Sequence, residues 1–489
     1  MSALIEYQDT ANAPSALLDQ PLIVDNFAGA GGASLGMANA LGRSVDIAIN
    51  HDTDAIAMHE ANHPGTFHYC ESVWDICPRK ATQGRHVAAA WFSPDCRHFS
   101  KCKNGKPKKK EIRGLAWVAV RWAATVRPDV IFLENVEEFK SWGPLLEDGM
   151  PCKQRAGQTF QSFVNALKKH GYRVETKELI AADFGAATKR KRLFLVARCD
   201  GKAIVWPTPT HAPYQSAQVE RVNKLPYEAS FRHIDWQAPT TSILGRPRPI
   251  VLNTLKRIVR GIKRFVIEER APFVVQRGYG ERPGQVPRAQ DAREPFGTFV
   301  AGGIKHCVCN LSLKASENWS AQGDWAVMAN IVKHYGGNYS GAGLPLSAPL
   351  DTITTVDHHA LVNTTVVKGI ALTDEERYNA WCIARMFEDA SEEIGGQVPL
   401  ERKPYITVHG AVLVDIHMRM LLPRELYSAS GFPADFQIER DTEGKKISKT
   451  KQVARVGNAV PPVLAERLFS ANLPQLCQQP ANNSLSMSA

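Results

Sequence analysis

Leu22-Ile23-Val24-Asp25-Asn26-Phe27-Ala28-Gly29-Ala30-Gly31-Gly32 reads as a short buried strand that breaks into a glycine-rich turn. Glycines permit positive φ and let a backbone approach a ligand closely, and the helix expected from about Ser34 adds its N-terminus to the same place. Outward from this unit, short apolar runs alternate with helical spacing as far as Arg198. Val45 to Ile49, Val87 to Phe92, Val130 to Leu133, Tyr172 to Leu179 and Leu193 to Ala197 are expected as strands. Arg113 to Val126 and Thr159 to His170 carry helical apolar spacing. Such alternation predicts an α/β fold whose mostly parallel sheet is covered on both faces.

Three chemical signals sit just after expected strands, where open α/β sheets place their ligands. The first is the glycine turn. The second is Cys96 in Ser93-Pro94-Asp95-Cys96-Arg97-His98-Phe99-Ser100, a thiol in a polar loop ahead of a basic run. The third is Glu134-Asn135-Val136, a carboxylic acid closing the run Val130 to Leu133. Thr188-Lys189-Arg190-Lys191-Arg192 adds guanidinium groups, forked donors that stay charged. Near the end stands Arg455-Val456-Gly457-Asn458-Ala459-Val460-Pro461-Pro462.

Together these motifs resemble those of the DNA (cytosine-5) methyltransferase family, in family order over nearly the full chain. The resemblance implies a Rossmann-like S-adenosylmethionine-dependent sheet with a second, β-rich and irregular target-recognition domain. It implies methyl transfer from S-adenosyl-L-methionine to C5 of a flipped-out cytosine in duplex DNA, leaving S-adenosyl-L-homocysteine. Cys96 would add to C6 as the nucleophile, which makes C5 able to attack a methyl group. Glu134 would neutralise the ring at N3, a task that suits a carboxyl whose pKa burial raises. Arg190 and Arg192 would contact the flipped base, Cys96 and nearby phosphate. On the cofactor side, Phe27 would stack on adenine, and Ala28, Gly29, Gly31 and Gly32 would face the methionine part. Asp75 and Ile76 would take the adenine amine and ring, Asn458 and Ala459 would close the pocket, and Asp95 is assigned to it as well. Asn50-His51-Asp52 would meet the ribose, with Asn50 where the family usually has an acid; an amide still accepts a hydrogen bond from a hydroxyl. Around the cysteine the family text Pro-Pro-Cys-Gln is changed here at Asp95 and Arg97. Arg419 to Pro433 resembles the motif that braces the recognition domain.

The chain has 489 residues and a formal net charge of +10, enough for more than one core and suited to a polyanion. Arg97, Ser100, Lys101, Lys103, Lys108, Lys109, Lys110 and Arg113 crowd the Cys96 loop and are expected to meet DNA, the lysines at phosphates. The ten cysteines form no C-x-x-C pairs, which argues against a zinc knuckle and a disulfide scaffold. Cys307-Val308-Cys309 is too tight for an ordinary zinc pair. His51, His59 and His63 are read as surface or cofactor-edge histidines and no metal site is assigned. No signal segment and no bilayer-length apolar run is apparent, so a soluble protein of the bacterial or phage-type cytoplasm is expected.

The expected organisation is an arm at 1–20, a catalytic and cofactor-binding domain at 21–199, a recognition domain at 200–414, a C-terminal segment at 415–475 completing the catalytic domain, and a tail at 476–489. Within 200–414 prolines, glycines and basic residues rise and long helical periods fade. Pro239 to Ile243, Pro295 to Phe299 and Pro349 to Ile353 repeat one pattern, and Val274 to Gly280 resembles Ile331 to Gly337. Double-stranded DNA is the expected partner, the acting form a monomer, and a cognate restriction endonuclease a further candidate partner. Two other readings stay open: an RNA cytosine methyltransferase on the same fold, and a catalytically silent DNA-binding regulator.

Overall fold

Strands β1 (Leu22–Asn26), β2 (Ile47–Ile49), β3 (Phe67–Tyr69), β4 (Val87–Phe92), β5 (Val130–Asn135), β6 (Arg173–Ile180) and β7 (Lys191–Arg198) form one seven-stranded sheet in the order β3-β2-β1-β4-β5-β7-β6. The pairings from β3 through β5 are parallel, while β7 runs antiparallel to both β5 and β6. The structure is a computed structural model. It describes residues 20–95, 114–147, 150–213, 216–250, 252–264, 273–276, 289–299, 301, 306–315, 330–333, 344–345, 359–362, 364–368, 372–394, 405–408 and 411–478.

Helices α1 (Gly32–Leu41), α2 (Thr53–Asn62), α3 (Trp117–Thr125) and α4 (Gln158–Lys169) follow their strands, with α1, α3 and α4 where the sequence places them. The ends differ slightly: Gly114 to Ala116 form a turn before α3, and the second strand starts at Ile47. Strand alternation sends side chains to opposite faces. Leu22, Val24, Ile131, Leu133, Leu193 and Leu195 join one core with Trp122 and Phe163, while Ile23, Phe132, Phe194 and Val196 join another with Met37 of α1. β1 is flanked by β2 on one side and β4 on the other. The chain therefore leaves β1 at the point where strand order reverses, the crevice where such sheets bind ligands.

After β7 a second sheet forms, in the order Thr241–Ser242, Ala411–Met420, His306–Ala315, Phe273–Gln276, Ala289–Asp291, with Thr364–Lys368 and Thr407–Val408 pairing beside it. The expected boundary at 414/415 falls inside the strand Ala411–Met420. One expectation is corrected: this region holds a 21-residue helix, α5 (Asp374–Ile394). Ala380, Ile383, Ala384 and Phe387 recur at helical spacing and are buried, Ile383, Ala384 and Phe387 in the core with Cys307, Leu311 and Ile416. Asp374, Glu375 and Glu376 fill the first turn, where the helix dipole favours anions. The related stretches 274–280 and 331–337 both begin as strands, but Asn330–Lys333 pairs in a separate three-stranded sheet. Pro349 to Ile353 lie outside the described residues.

The chain then returns to the first domain through α6 (Lys449–Asn458) and α7 (Pro462–Asn472). Leu464, Leu468 and Phe469 of α7 pack with Ile23 and Met37, so α7 covers β1 and α1.

Candidate functional site

A cleft opens at the ends of β1, β2, β4 and β5 and the start of β7, with the end of α6 as its far wall. Phe27, Ala28, Gly29, Gly32, Asn50, His51, Asp52, Asp95, Glu134, Arg190, Arg192, Asn458 and Ala459 line it. Phe27 has φ of 64°, a left-handed conformation that a bulky side chain adopts only when its surroundings impose it. The Ala28 N–H donates to the Ile49 carbonyl at 3.1 Å, tying the turn to β2. Asp25 also lines the cleft. Its Oδ2 accepts the Ser34 hydroxyl at 2.7 Å, and burial pushes its carboxyl up to about 7. Among the described residues its Oδ1 has no hydrogen-bond partner.

Glu134 ends β5 and is buried. Burial is joined by a cation: Arg192 Nε lies 3.0 Å from Glu134 Oε1. Next to it, the Asn135 Nδ2 donates to the Pro94 carbonyl at 3.2 Å, which fixes the root of the Cys96 loop to β5. Arg190 lines the cleft and is also tied to distant segments. It is 3% exposed, and its NH1 donates to the Phe299 carbonyl at 3.1 Å and the Gly457 carbonyl at 2.9 Å. This guanidinium braces the second domain and the α6 end against β7.

Asp52 caps α2 by accepting the Ala55 N–H, and it also accepts from Arg455 of α6 at 2.6 Å. Burial raises the Asp52 carboxyl, but the Arg455 hydrogen bond and charge outweigh it and hold it below the usual range. A second pair, Lys451 to Asp54 at 2.6 Å, joins the same two helices. Asn50 Oδ1 accepts the Asp52 N–H at 2.9 Å. Since an N–H needs an oxygen opposite it, this bond fixes the amide orientation of a residue that lines the cleft.

Residues 22–243 match the family model of C-5 cytosine-specific DNA methylases. Over this segment the chain is similar to the cytosine-C5 methyltransferases. Among its relatives, the Type II methyltransferase M.AgeI of Thalassovita gelatinovora is 27% identical over 194 residues, covering 38% of this chain and 42% of that protein. The Type II methyltransferase M.AquIA of Picosynechococcus is 27% identical over 230 residues, covering 45% of this chain and 90% of its own. The match thus spans less than half the length of the first relative. A solved Spodoptera frugiperda DNMT2 variant superposes with a TM-score of 0.47 at 12% identity, covering 92% of this chain and 99% of that one.

Five sequence motifs far apart in the chain, the cysteine motif through its described residues Ser93 to Asp95, meet at one cleft. Gly31 lies behind the turn and does not line it, nor do Asp75, which is exposed, and Ile76, which is buried in the core. Cys96, Arg97, Ser100, Lys101, Lys103, Lys108, Lys109, Lys110 and Arg113 lie outside the described residues. Sequence reasoning missed Asp25, Ser93, Pro94 and Arg455 as cleft residues. Arg455 stands in a motif already quoted, and its distance from Asp52 in sequence hid the pairing. The histidines require a correction: His59 and His63 are 0% and 2% exposed, because they pack between α2, the turn and β3. Among the described residues no group of three or more metal-ligating side chains could hold an ion, and no helix is long and apolar enough to cross a membrane.

Proposed function

We propose that the chain transfers a methyl group from S-adenosylmethionine to C5 of cytosine in duplex DNA. The observation that carries this reading is the single cleft shared by the glycine turn, the root of the Cys96 loop and the Glu134–Arg192 pair. The cleft also fits the cofactor chemically. Phe27 offers a ring, Asn50, His51 and Asp52 a polar wall, and Asp25 a buried carboxylate oxygen with no partner among the described residues, suited to a cation.

When bound, S-adenosylmethionine supplies a methyl group on a cationic sulfur. Cytosine C5 is too weak a nucleophile to take it unaided. Cys96 supplies the thiolate that bonds to C6, which moves electron density to C5 and N3. Glu134 would hold a proton at N3, and Arg192, whose Nε lies 3.0 Å from Oε1, would orient that carboxyl. After transfer, loss of the C5 proton to a base lets the thiolate leave. The net charge of +10 favours a polyanionic substrate, and the Cys96 loop would contact the duplex as the cytosine leaves the stack. The Type II names of the relatives make a cognate endonuclease the partner to look for.

The test is to incubate the protein with tritiated S-adenosylmethionine and mixed-sequence duplex DNA, then identify the labelled nucleoside. Label in 5-methylcytosine is expected. Label only in RNA supplied in parallel would transfer the reading to an RNA substrate, and cofactor binding without label in either would leave a binding-only protein.

Two substitutions extend the test. Glu134→Gln keeps the shape but lacks the acid, so kcat is expected to fall about a hundredfold or more with little change in cofactor affinity, measured by initial rates and calorimetry. Asn50→Glu restores an acceptor carboxylate at the cleft and is expected to tighten S-adenosylmethionine binding about fivefold, roughly 1 kcal/mol. Unchanged affinity would place the ribose away from Asn50.

A further inference from the structure

Behind the glycine turn runs a chain of buried polar contacts that links four elements. Asp25 of β1 accepts the Ser34 hydroxyl of α1 at 2.7 Å. Ser34 Oγ lies 3.0 Å from His59 Nε2 of α2, and His59 Nδ1 lies 2.8 Å from His68 Nε2 of β3. Asp25, Ser34 and His59 are each 0% exposed. His63 packs beside them, its ring 4.4 Å from that of His59, and a Cβ on Gly31 would stand 2.6 Å from His63 Nε2. Gly31 has φ of 99°, so the turn rests on imidazoles at a position only glycine fits.

Proton counting gives this chain one direction. The Ser34 proton is committed to Asp25, so the hydroxyl accepts from His59 Nε2. The neutral His59 ring then accepts at Nδ1, and His68 Nε2 donates. Burial supports neutral rings: it holds His59 well below its ordinary value and His63 and His68 near about 4, with each other as the charged groups they face. Every donor points toward Asp25, and hydrogen bonds arranged head to tail polarise one another. The chain ends on a carboxylate that lines the cleft and whose Oδ1 has no partner among the described residues.

We propose that His59 and His68 are positioning residues of the cofactor site: through Ser34 they fix the Asp25 carboxylate so that its second oxygen meets the cationic amino-acid end of the bound cofactor. This rests on the methyltransferase reading. Neither histidine lines the cleft, so their hydrogen-bonded link to Asp25 runs through Ser34. His59→Leu removes the donor to Ser34, while His59→Gln retains a neutral amide donor of similar reach.

Calorimetry with two probes separates positioning from mere support of the fold. S-Adenosylmethionine carries the cationic amino-acid end, and 5′-methylthioadenosine lacks it. His59→Leu is expected to weaken S-adenosylmethionine binding about tenfold and leave 5′-methylthioadenosine binding unchanged, and His59→Gln to restore most of the loss. Should His59→Leu fail to fold, His68→Phe removes the outer link and is expected to shift the same probe in the same direction. Equal weakening of both probes, or no change in either, would overturn the proposal. Wild-type protein that binds neither probe would overturn the cofactor reading itself, and this proposal with it.

Discussion

Cys96→Ala is expected to abolish methyl transfer to DNA, by at least about three orders of magnitude, while cofactor affinity stays at the wild-type level. The size follows from the chemistry. Without a bond at C6 the cytosine ring has no enamine character, and no contact elsewhere in the cleft supplies the missing electrons. The site's geometry explains why affinity should survive. The loop root is held by Ser93, whose N–H donates to the Asn26 carbonyl at 3.2 Å, and by Pro94, which accepts from Asn135. Neither contact uses the thiol. The measurement is tritium incorporation into duplex DNA beside calorimetric binding of S-adenosylmethionine. Cys77→Ala serves as the control, since Cys77 is not among the cleft residues. Transfer that persists in Cys96→Ala would remove the covalent mechanism.

Gly36→Val is expected to be the most damaging single change away from the chemistry. A Cβ at Gly36 would stand 2.1 Å from the Pro462 carbonyl oxygen and 2.8 Å from the Ala465 Cβ. The first of these is backbone at the start of α7, so relief requires moving the whole helix. α7 carries Leu464, Leu468 and Phe469 into the core beneath β1, and that contact would be given up in part. Overpacking of this kind costs about 3 kcal/mol or more. Asn39→Val on the exposed side of α1 reports the helix-propensity cost plus the loss of one long, exposed hydrogen bond to Glu466 of α7, about 1 kcal/mol together. Denaturant melts of the two variants should differ by the balance. Equal melts would mean that α7 does not seat against Gly36.

The parts of the fold legible in the sequence were those encoded by local pattern. β1, β4 and β5 are continuous apolar runs because both faces of the sheet are covered, and the glycine turn follows from positions that need close backbone approach. The antiparallel setting of β7 was not legible, because hydrophobic alternation is the same in either direction. α5 was missed because its buried stripe is narrow and seven acids dominate its text. Arg190 shows what motif reasoning leaves out: it lines the cleft as a charge beside a chemical motif should, and its bonds to two backbone carbonyls from distant segments were not legible. His59 and His68 were opaque for the same reason, since a helix histidine reads as solvated until a strand partner and a serine are found for it.

The clasp between α6 and α2 also bears on how the protein is made. Asp52 and Asp54 emerge early in synthesis, whereas Arg455 and Lys451 come only after the whole second domain. A nascent chain therefore holds one wall of the cleft open, with Ile23 and Met37 uncovered, until α6 and α7 arrive. A product cut short before α7 would expose that apolar surface, which cellular proteases can recognise.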